Sequence, residues 1–515
     1  MSGLFLRKSM QDCENDIRER GGLLRSLNKW HLTALGVGAT IGAGIFATTG
    51  TAIAGDELRL GAGPAIVISF LVTAVTCGFA ALCYAEFAAM VPISGSAYTY
   101  AYASLGELIA WIIGWDLIIE YAVGNIGVAI AWSGYFRELL THFGLSLPAW
   151  LATDFRSANM AAEAVAAGAT DAYNVYIASA LAHAPRFFGF PVIANLPAVL
   201  IVALITIILV IGIRESANSN TAMVLLKIGV ILFFVAVGST LIRTENWANP
   251  ALGGFAPNGW SGIATGAAII FFSYIGFDAT STAAEEAKNP GRDMPFGIIM
   301  SLVICTVLYI VMAAVMTGMA AWNKLGTPEP MITALALAEG SPKLLTISRL
   351  IVALGAVIAM SSVLLVFQLG QPRIFMSMAR DGLLPPFLAR VHTRYKTPYI
   401  GTIITGVFVA FFAAFANIAE VVELTNIGTL FAFVAVSAGV LVLRRKEPNR
   451  ARPFRVPLVP LTPAISIVAC TYLMLQLPRK TWIFFGLWLV LGLVIYVLYG
   501  ARHSRLRRAA ERGER

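Results

Sequence analysis

Four ionisable side chains stand inside or at the edge of long apolar runs: Asp116 and Glu120 in GWDLIIEYAVGN, Lys227 in TAMVLLKIGVILFF, and Asp278 in FFSYIGFDATS. An ionised group at bilayer depth costs several kcal/mol unless paired or hydrated, so residues of this kind mark ion or proton pathways. Asp116 and Glu120 are four positions apart and share a helix face; Asp116, nearer one end of its run, is equally suited to capping or pairing there. Lys227 lies about seven residues into its run, where reaching the headgroups is strained. Burial favours its neutral amine, and a neighbouring carboxylate favours its ammonium. A lysine held between these influences gains and loses a proton as its surroundings change, which is the chemistry of proton coupling. Glu86, at the end of another run, reads as an interfacial anchor.

The elements that must position these groups follow from composition. The 515 residues are 58% hydrophobic and 13% charged, with a mean hydropathy of +0.77, whereas a soluble chain carries about a quarter charged residues. Apolar blocks of roughly twenty residues match a hydrocarbon core about 30 Å thick. The sequence predicts twelve spans, numbered here as segments 1 to 12, near 32–54, 64–90, 106–136, 194–213, 221–242, 261–284, 296–321, 350–372, 399–417, 424–443, 457–476 and 481–500. Counted against these, 26 of the 37 Lys and Arg fall on the side of the termini and 10 on the other, with Lys227 inside a segment. The positive-inside rule then places both termini in the cytoplasm of a multi-pass protein of the plasma (inner) membrane.

The net charge of +9 is thereby topology and membrane-surface charge, including the basic tail RHSRLRRAAERGER, and not a nucleic-acid footprint. Residues 1–29 lack an apolar core and read as a cytoplasmic tail, not a cleaved signal peptide. The outer connection 137–193, with its stretch NMAAEAVAAGATDAY, predicts a short surface helix, and the connection 380–399 an interfacial helix. The five cysteines are odd in number and lack metal-ligand spacing. The five histidines lie at segment edges or in loops, so no constellation for an enzyme sits at compatible depth. The tails are too short for a sensor domain. No cofactor or metal is expected.

Segment 1 carries five glycines between Gly36 and Gly50, within GVGATIGAGIFATTG. Glycine is about 1 kcal/mol worse than alanine in a helix. Gly38-x-x-x-Gly42 suits close helix packing, but these glycines occupy more than one face. Segment 6 is also interrupted, near Gly276. Interrupted helices five segments apart are what an inverted five-plus-five repeat predicts, with a midplane site where helices 1 and 6 break. Unpaired backbone at that depth must face protein, water or ligand.

The ordered set GVGATIGAGIF (36–46), CYAEFAAMVPISGSAYTYAYASLGELIAWIIGWDLIIEY (83–121), GIRESA (212–217), FFSYIGFDATSTAAEEAKNPGRDMP (271–295), GQPRIFMSMARDGLLPPFL (370–388) and LTNIGTLFAF (424–433) resembles the amino acid–polyamine–organocation (APC) transporters, specifically bacterial members of the cationic amino acid transporter group. The resemblance implies an all-α membrane protein of LeuT-type fold. Its core would be ten helices over 30–445, with repeats near 30–242 and 260–445 and discontinuous helices 1 and 6. Two peripheral helices (446–500) and a basic tail (501–515) would follow.

It further implies a substrate carboxylate on the backbone amides of Ala43 and Gly44, with Gly42 beside them. The substrate ammonium would lie on carbonyls of Thr40 or Ile41, Phe272 and Ile275, with Phe272 also as an aromatic lid. Asn125 and Met360 or Ser361 are side-chain selectivity positions. Lys227, Asp278 and Glu120 match residues linked to proton coupling, the lysine standing where a sodium-coupled relative places Na⁺. The activity implied is proton-coupled symport of an L-amino acid. A small neutral one such as alanine is favoured, because partnership with Lys227 would consume the charge of Asp278 and Glu120. Cationic amino acid or polyamine transport, or exchange, is the alternative. Substrate, protons and the lipid bilayer are the expected partners, with a small accessory membrane protein left open and no nucleic acid.

Overall fold

The computed structural model describes residue 6 and residues 26–56, 59–90, 96–168, 172–212 and 217–512. The N-terminal tail up to Arg25 apart from Leu6, most of GIRESA and residues 513–515 therefore lie outside the described residues. Among the described residues the structure is almost wholly helical; its strands are two short hairpins, Gly55–Asp56 with Arg59–Leu60 and Arg186–Phe187 with Phe190–Pro191.

Eight helices are long and apolar enough to cross a membrane. They are Gly63–Met90, Glu107–His142, Thr221–Ser239, Gly259–Ala284, Pro290–Met319, Pro342–Arg380, Ile418–Lys446 and Arg479–His503, corresponding to segments 2, 3, 5, 6, 7, 8, 10 and 12. Segment 1 is a bent pair, Lys29–Thr40 and Gly44–Ala54, turned by 41° at the glycine cluster. Segments 4, 9 and 11 form shorter apolar helices, Leu196–Ile211, Tyr399–Phe415 and Leu461–Leu475. At about 1.5 Å per residue they fall short of a 30 Å core. Segment 8 is longer than its apolar run, because the helix Pro342–Arg380 continues through Pro372 and the polar MSMAR.

Segment 7 lies along segment 2 and along the first half of segment 1, segment 8 along segments 3 and 5, and segment 4 beside segment 9. Segment 10 touches segments 2, 3 and 11. Segments 11 and 12 sit at the periphery. Segment 12 is fastened to segment 3 by Trp111 and Trp115, whose indole N–H groups donate to the carbonyls of Gly492 and Trp488, each at 2.9 Å. Leu200, Leu204, Ile207 and Ile211 on segment 4, and Val303, Val307 and Val311 on segment 7, are exposed at helical spacing.

Two connections differ from the sequence reading. The alanine-rich outer stretch forms two helices, Phe155–Ala166 and Ala172–His183, which enclose a small core of Ala158, Ala180, Ala184 and Ile193. Asp154 starts the first by accepting from the Ser157 amide at 2.9 Å. Connection 380–399 holds only the 3₁₀ turn Pro386–Ala389, since paired prolines remove the amide donors a longer helix needs.

Two buried carboxylates, Glu86 and Glu107, are ion-paired. Glu86 pairs with Arg444 at 2.7 Å and Arg452 at 3.3 Å, anchoring segment 2 to the end of segment 10. Glu107, fully buried, accepts from Tyr102 and Tyr496 at 3.1 and 2.9 Å and from Ser504, and pairs with Arg507 at 2.8 Å. Its own amide donates to Leu6 at 3.0 Å. Leu6 and the C-terminal tail thus meet at one residue, the first through its main chain and the second through its carboxylate, and the basic tail has a specific intramolecular contact that charge counting does not reveal.

Glycines set the closest approaches. A Cβ on Gly42 would lie 2.8 Å from the Val363 side chain, whereas one on Gly44 would strike the Ser273 main chain. Side chains repack and backbone does not, and overpacking costs about 1–3 kcal/mol. Gly42→Ala should therefore lower the thermal stability of the detergent-solubilised protein and be rescued by adding Val363→Ala. Gly44→Ala should be rescued by no change at Ser273. Equal rescue of both in a thermal-unfolding assay would contradict this packing.

Candidate functional site

The first half of segment 1 ends at Thr40. Ile41 is extended (φ −76°, ψ 97°), and Ala43 leads into a wide π turn over Gly44–Thr48. The first amides of a helix have no intrahelical acceptor, so those of Gly42, Ala43 and Gly44 are offered at the start of the second half. Segment 6 breaks in a matching way. The helix Gly259–Ile270 tightens into a 3₁₀ turn over Phe271–Tyr274, Ile275 is extended, and Gly276 takes φ 120° before a second 3₁₀ stretch from Asp278. That φ is open to glycine and strained for other residues. A Cβ on Gly276 would also meet Ala39 and Thr40 of segment 1 within 3.0 Å. The two breaks are therefore in direct contact, Gly44 against Ser273 and Gly276 against Ala39.

Protein donors already hold the carbonyls freed at the first break. Tyr309 of segment 7 donates to Thr40 O at 3.1 Å. Lys227, fully buried, donates to Gly38 O at 2.5 Å and Ile41 O at 3.1 Å. Thr40 and Ile41 are thus at the break, and each of their carbonyls already accepts from one protein donor. The expected partnership of Lys227 with Asp278 or Glu120 is corrected: among the described residues its acceptors are backbone carbonyls. Segment 5 packs chiefly on segments 1, 7 and 8, so the ammonium meets the negative end of a half-helix dipole. At the second break, Asn426 of segment 10 donates to Ala268 O at 2.8 Å and Ile269 O at 3.2 Å.

Asp278 and Glu120 are both buried and lie close to each other, and the Gly276 amide donates to Asp278 Oδ1 at 3.2 Å. Asp116 is buried one turn away, and neither of its oxygens has a hydrogen-bond partner among the described residues. It points towards Gly428, whose missing side chain leaves room for it.

The walls mix expected and unexpected residues. The Phe272 ring lies against Gly127 of segment 3, beside Val421 and Val422 of segment 10. Asn125 donates to Gln368 Oε1 at 3.2 Å, and Gln368 in turn to Thr206 at 2.5 Å. Met360 is fully buried. Ser361 is turned away from the break and accepts from Trp132 Nε1 at 2.9 Å. The segment 8 side chain that meets the break is Val363, two positions on. Val363, Tyr309, Gln368 and Asn426 were missed by sequence reasoning. Only the polar ones, isolated in apolar runs, carried any signal there.

Beside the second half of segment 1 lies a cavity of about 140 Å³, between Thr48, Thr51, Ile269, Thr327 and Val422, with Arg59 on its wall. Arg59 pairs with Glu423 of segment 10 at 2.9 Å and with Asp56. The connection after segment 1 is thereby tied to segment 10 across this cavity.

Comparisons with known proteins agree along the chain. The family model described as amino acid permease matches residues 27–499. The branched-chain amino acid permease BcaP of Bacillus subtilis is 42% identical over 503 residues, covering 98% of this chain and 99% of that protein. The methylthioribose transporter of the same organism is 41% identical over 506 residues, 98% of this chain and all of that one. Cationic amino acid transporter 4, vacuolar, of Arabidopsis thaliana is 36% identical over 454 residues, 87% of this chain and 68% of that protein.

Removing the donor from Gly38 and Ile41 leaves two buried carbonyls short of a partner, at about 1–3 kcal/mol each. Lys227→Met, similar in volume, should lower the thermal midpoint in detergent more than Lys227→Arg, which keeps its donors. An unchanged midpoint for Lys227→Met would show that these contacts do not support the break.

Proposed function

The chain belongs to the amino acid permease family, and on that premise we propose that it is a secondary active transporter that couples uptake of a neutral L-amino acid to proton movement by alternating access. The reading takes segments 4, 9 and 11 as spans, giving twelve helices with both termini in the cytoplasm. The first ten form a LeuT-type inverted repeat and the last two are peripheral. The matched breaks in segments 1 and 6 are the observation that carries it. The amides of Gly42, Ala43 and Gly44, at the positive end of a half-helix, suit a substrate carboxylate. The carbonyls of Phe272 and Ile275 remain as candidates for the ammonium, with Phe272 as the lid.

The substrate side chain would meet Val363, Met360 and Phe272, an apolar set, with Asn125 held by Gln368 as the polar contact. Asp278 and Glu120 face each other, which leaves neither to receive a cationic side chain. That supports neutral substrates, alanine and branched-chain amino acids among them. Lys227 takes the coupling role without a carboxylate. Its charge holds the end of a half-helix, and loss of its proton weakens that hold. Asp278 and Glu120 form a second proton-holding pair.

The test is uptake into proteoliposomes. The panel would contain alanine, leucine, arginine and methylthioribose, each under an imposed proton or sodium gradient and with preloaded exchange substrate. Neutral amino acids should accumulate when the proton gradient points inward. Accumulation of arginine alone, or transport only against preloaded substrate, would overturn the reading. Lys227→Ala should abolish uptake driven by the pH gradient while substrate binding stays measurable. Unchanged proton-driven transport in that variant would remove Lys227 from coupling.

A further inference from the structure

Lys227 and Asn426 occupy corresponding places on helices five segments apart. Lys227 stands on segment 5, in the helix Ala217–Ser239, and Asn426 on segment 10, in the helix Ile418–Lys446. Each lies roughly ten residues from the start of its helix and directs side-chain nitrogen at two carbonyls of a broken helix. Lys227 serves Gly38 and Ile41 at the end of the first half of segment 1. Asn426 serves Ala268 and Ile269 in the last turn of the first half of segment 6. Two facing carbonyl acceptors require the amide nitrogen there, which fixes the orientation of the Asn426 side chain. Asn426 is fully buried, and its Oδ1 has no hydrogen-bond partner among the described residues. A plain interhelical contact between polar side chains would not single out carbonyls at the end of a half-helix.

We propose that Asn426 is a positioning residue for the second break, the uncharged counterpart of Lys227. It would hold the half of segment 6 that leads into Phe272, and so set where the aromatic lid sits. The proposal rests on the transport reading above. Four residues separate Ala268 from Phe272, about one helical turn, so a shift of the last turn moves the ring against Gly127 and Val422. The first half of segment 6 lies on the side away from the termini, and the first half of segment 1 on their side. The two donors therefore serve opposite faces. The one towards the termini can change charge with a proton, and the other cannot.

Asn426→Asp keeps the side-chain volume and removes the donors, and Asn426→Leu removes them without adding charge. In reconstituted vesicles of known orientation, both variants should raise KM for substrate added on the outer face by about tenfold, the scale of one lost hydrogen bond. KM for substrate on the inner face should stay within about twofold. Hydrogen exchange gives a readout that needs no transport. Peptides covering 266–275 should exchange faster in both Asn426 variants, with 36–46 unchanged, and Lys227→Met should give the reverse pattern. Failure of the wild-type vesicles to transport any amino acid would sink the functional reading and leave the exchange result to judge Asn426. Equal KM changes on both faces, or exchange in 266–275 unaltered by either variant, would overturn the positioning role.

Discussion

A broken helix inside a membrane has to find partners for the backbone it frees, because hydrocarbon offers none. That constraint is imposed twice here, at Thr40–Gly44 and at Ile270–Gly276, and much of the surrounding structure answers it. Segments 5, 7 and 10 each send one donor to a freed carbonyl, from Lys227, Tyr309 and Asn426. The glycines answer it sterically, since Gly44 and Gly276 let the two interrupted chains lie against each other without side chains between them. Among the side-chain atoms left without a partner near the breaks are the oxygens of Asp116, Ser273 Oγ, Asp278 Oδ2 and Asn426 Oδ1. Polar groups without partners inside a well-packed core are where a polar ligand or a proton finds its binding energy.

The same economy divides the ionisable groups into two neighbourhoods. Lys227 is surrounded by carbonyls and apolar side chains, and its charge complements a helix end. Asp278 and Glu120, with Asp116 a turn away, form an acidic neighbourhood between segments 3, 6 and 10. The neighbourhoods share segment 1 and the stretch Gly276–Asp278 as their boundary, so rearrangement of either break is felt by both. This is a mechanical link through packed backbone, with no direct ion pair between the lysine and the acids.

Much of this was legible in the sequence. Glycines spread over more than one face of segment 1, and the interruption at Gly276, pointed to paired breaks, and the rarity of charge at depth picked out Lys227, Glu120 and Asp278. What the sequence withheld was azimuth. Residue spacing says which side chains share a face, but not which neighbour that face meets. Lys227 was therefore given a carboxylate when segment 5 turns it to the end of a half-helix. Met360 or Ser361 was named on segment 8 and Val363 was passed over for the same reason, as the two positions from Ser361 to Val363 change the facing direction by more than half a turn. Glu86 and Glu107 gave no sign of their partners, because arginines some 350 to 400 residues later complete them. Helix lengths failed where polarity and helicity part company: the helix at Pro342–Arg380 outruns its apolar stretch.

The separation of Glu107 from its partners has a consequence for biosynthesis. The carboxylate enters the chain near the start of segment 3, whereas Ser504 follows 397 residues later. At roughly 5–20 residues per second, translation takes on the order of 20–80 s to supply it. Throughout that time the bundle around segment 3 is being assembled with an acidic group that has Tyr102 beside it but not yet Tyr496, Ser504 or Arg507. Closure of that face therefore waits for the last stretch of the chain to be made. A ribosome that stops short leaves a protein with its helices in place and a buried charge uncovered, which is a feature that cellular quality control can recognise.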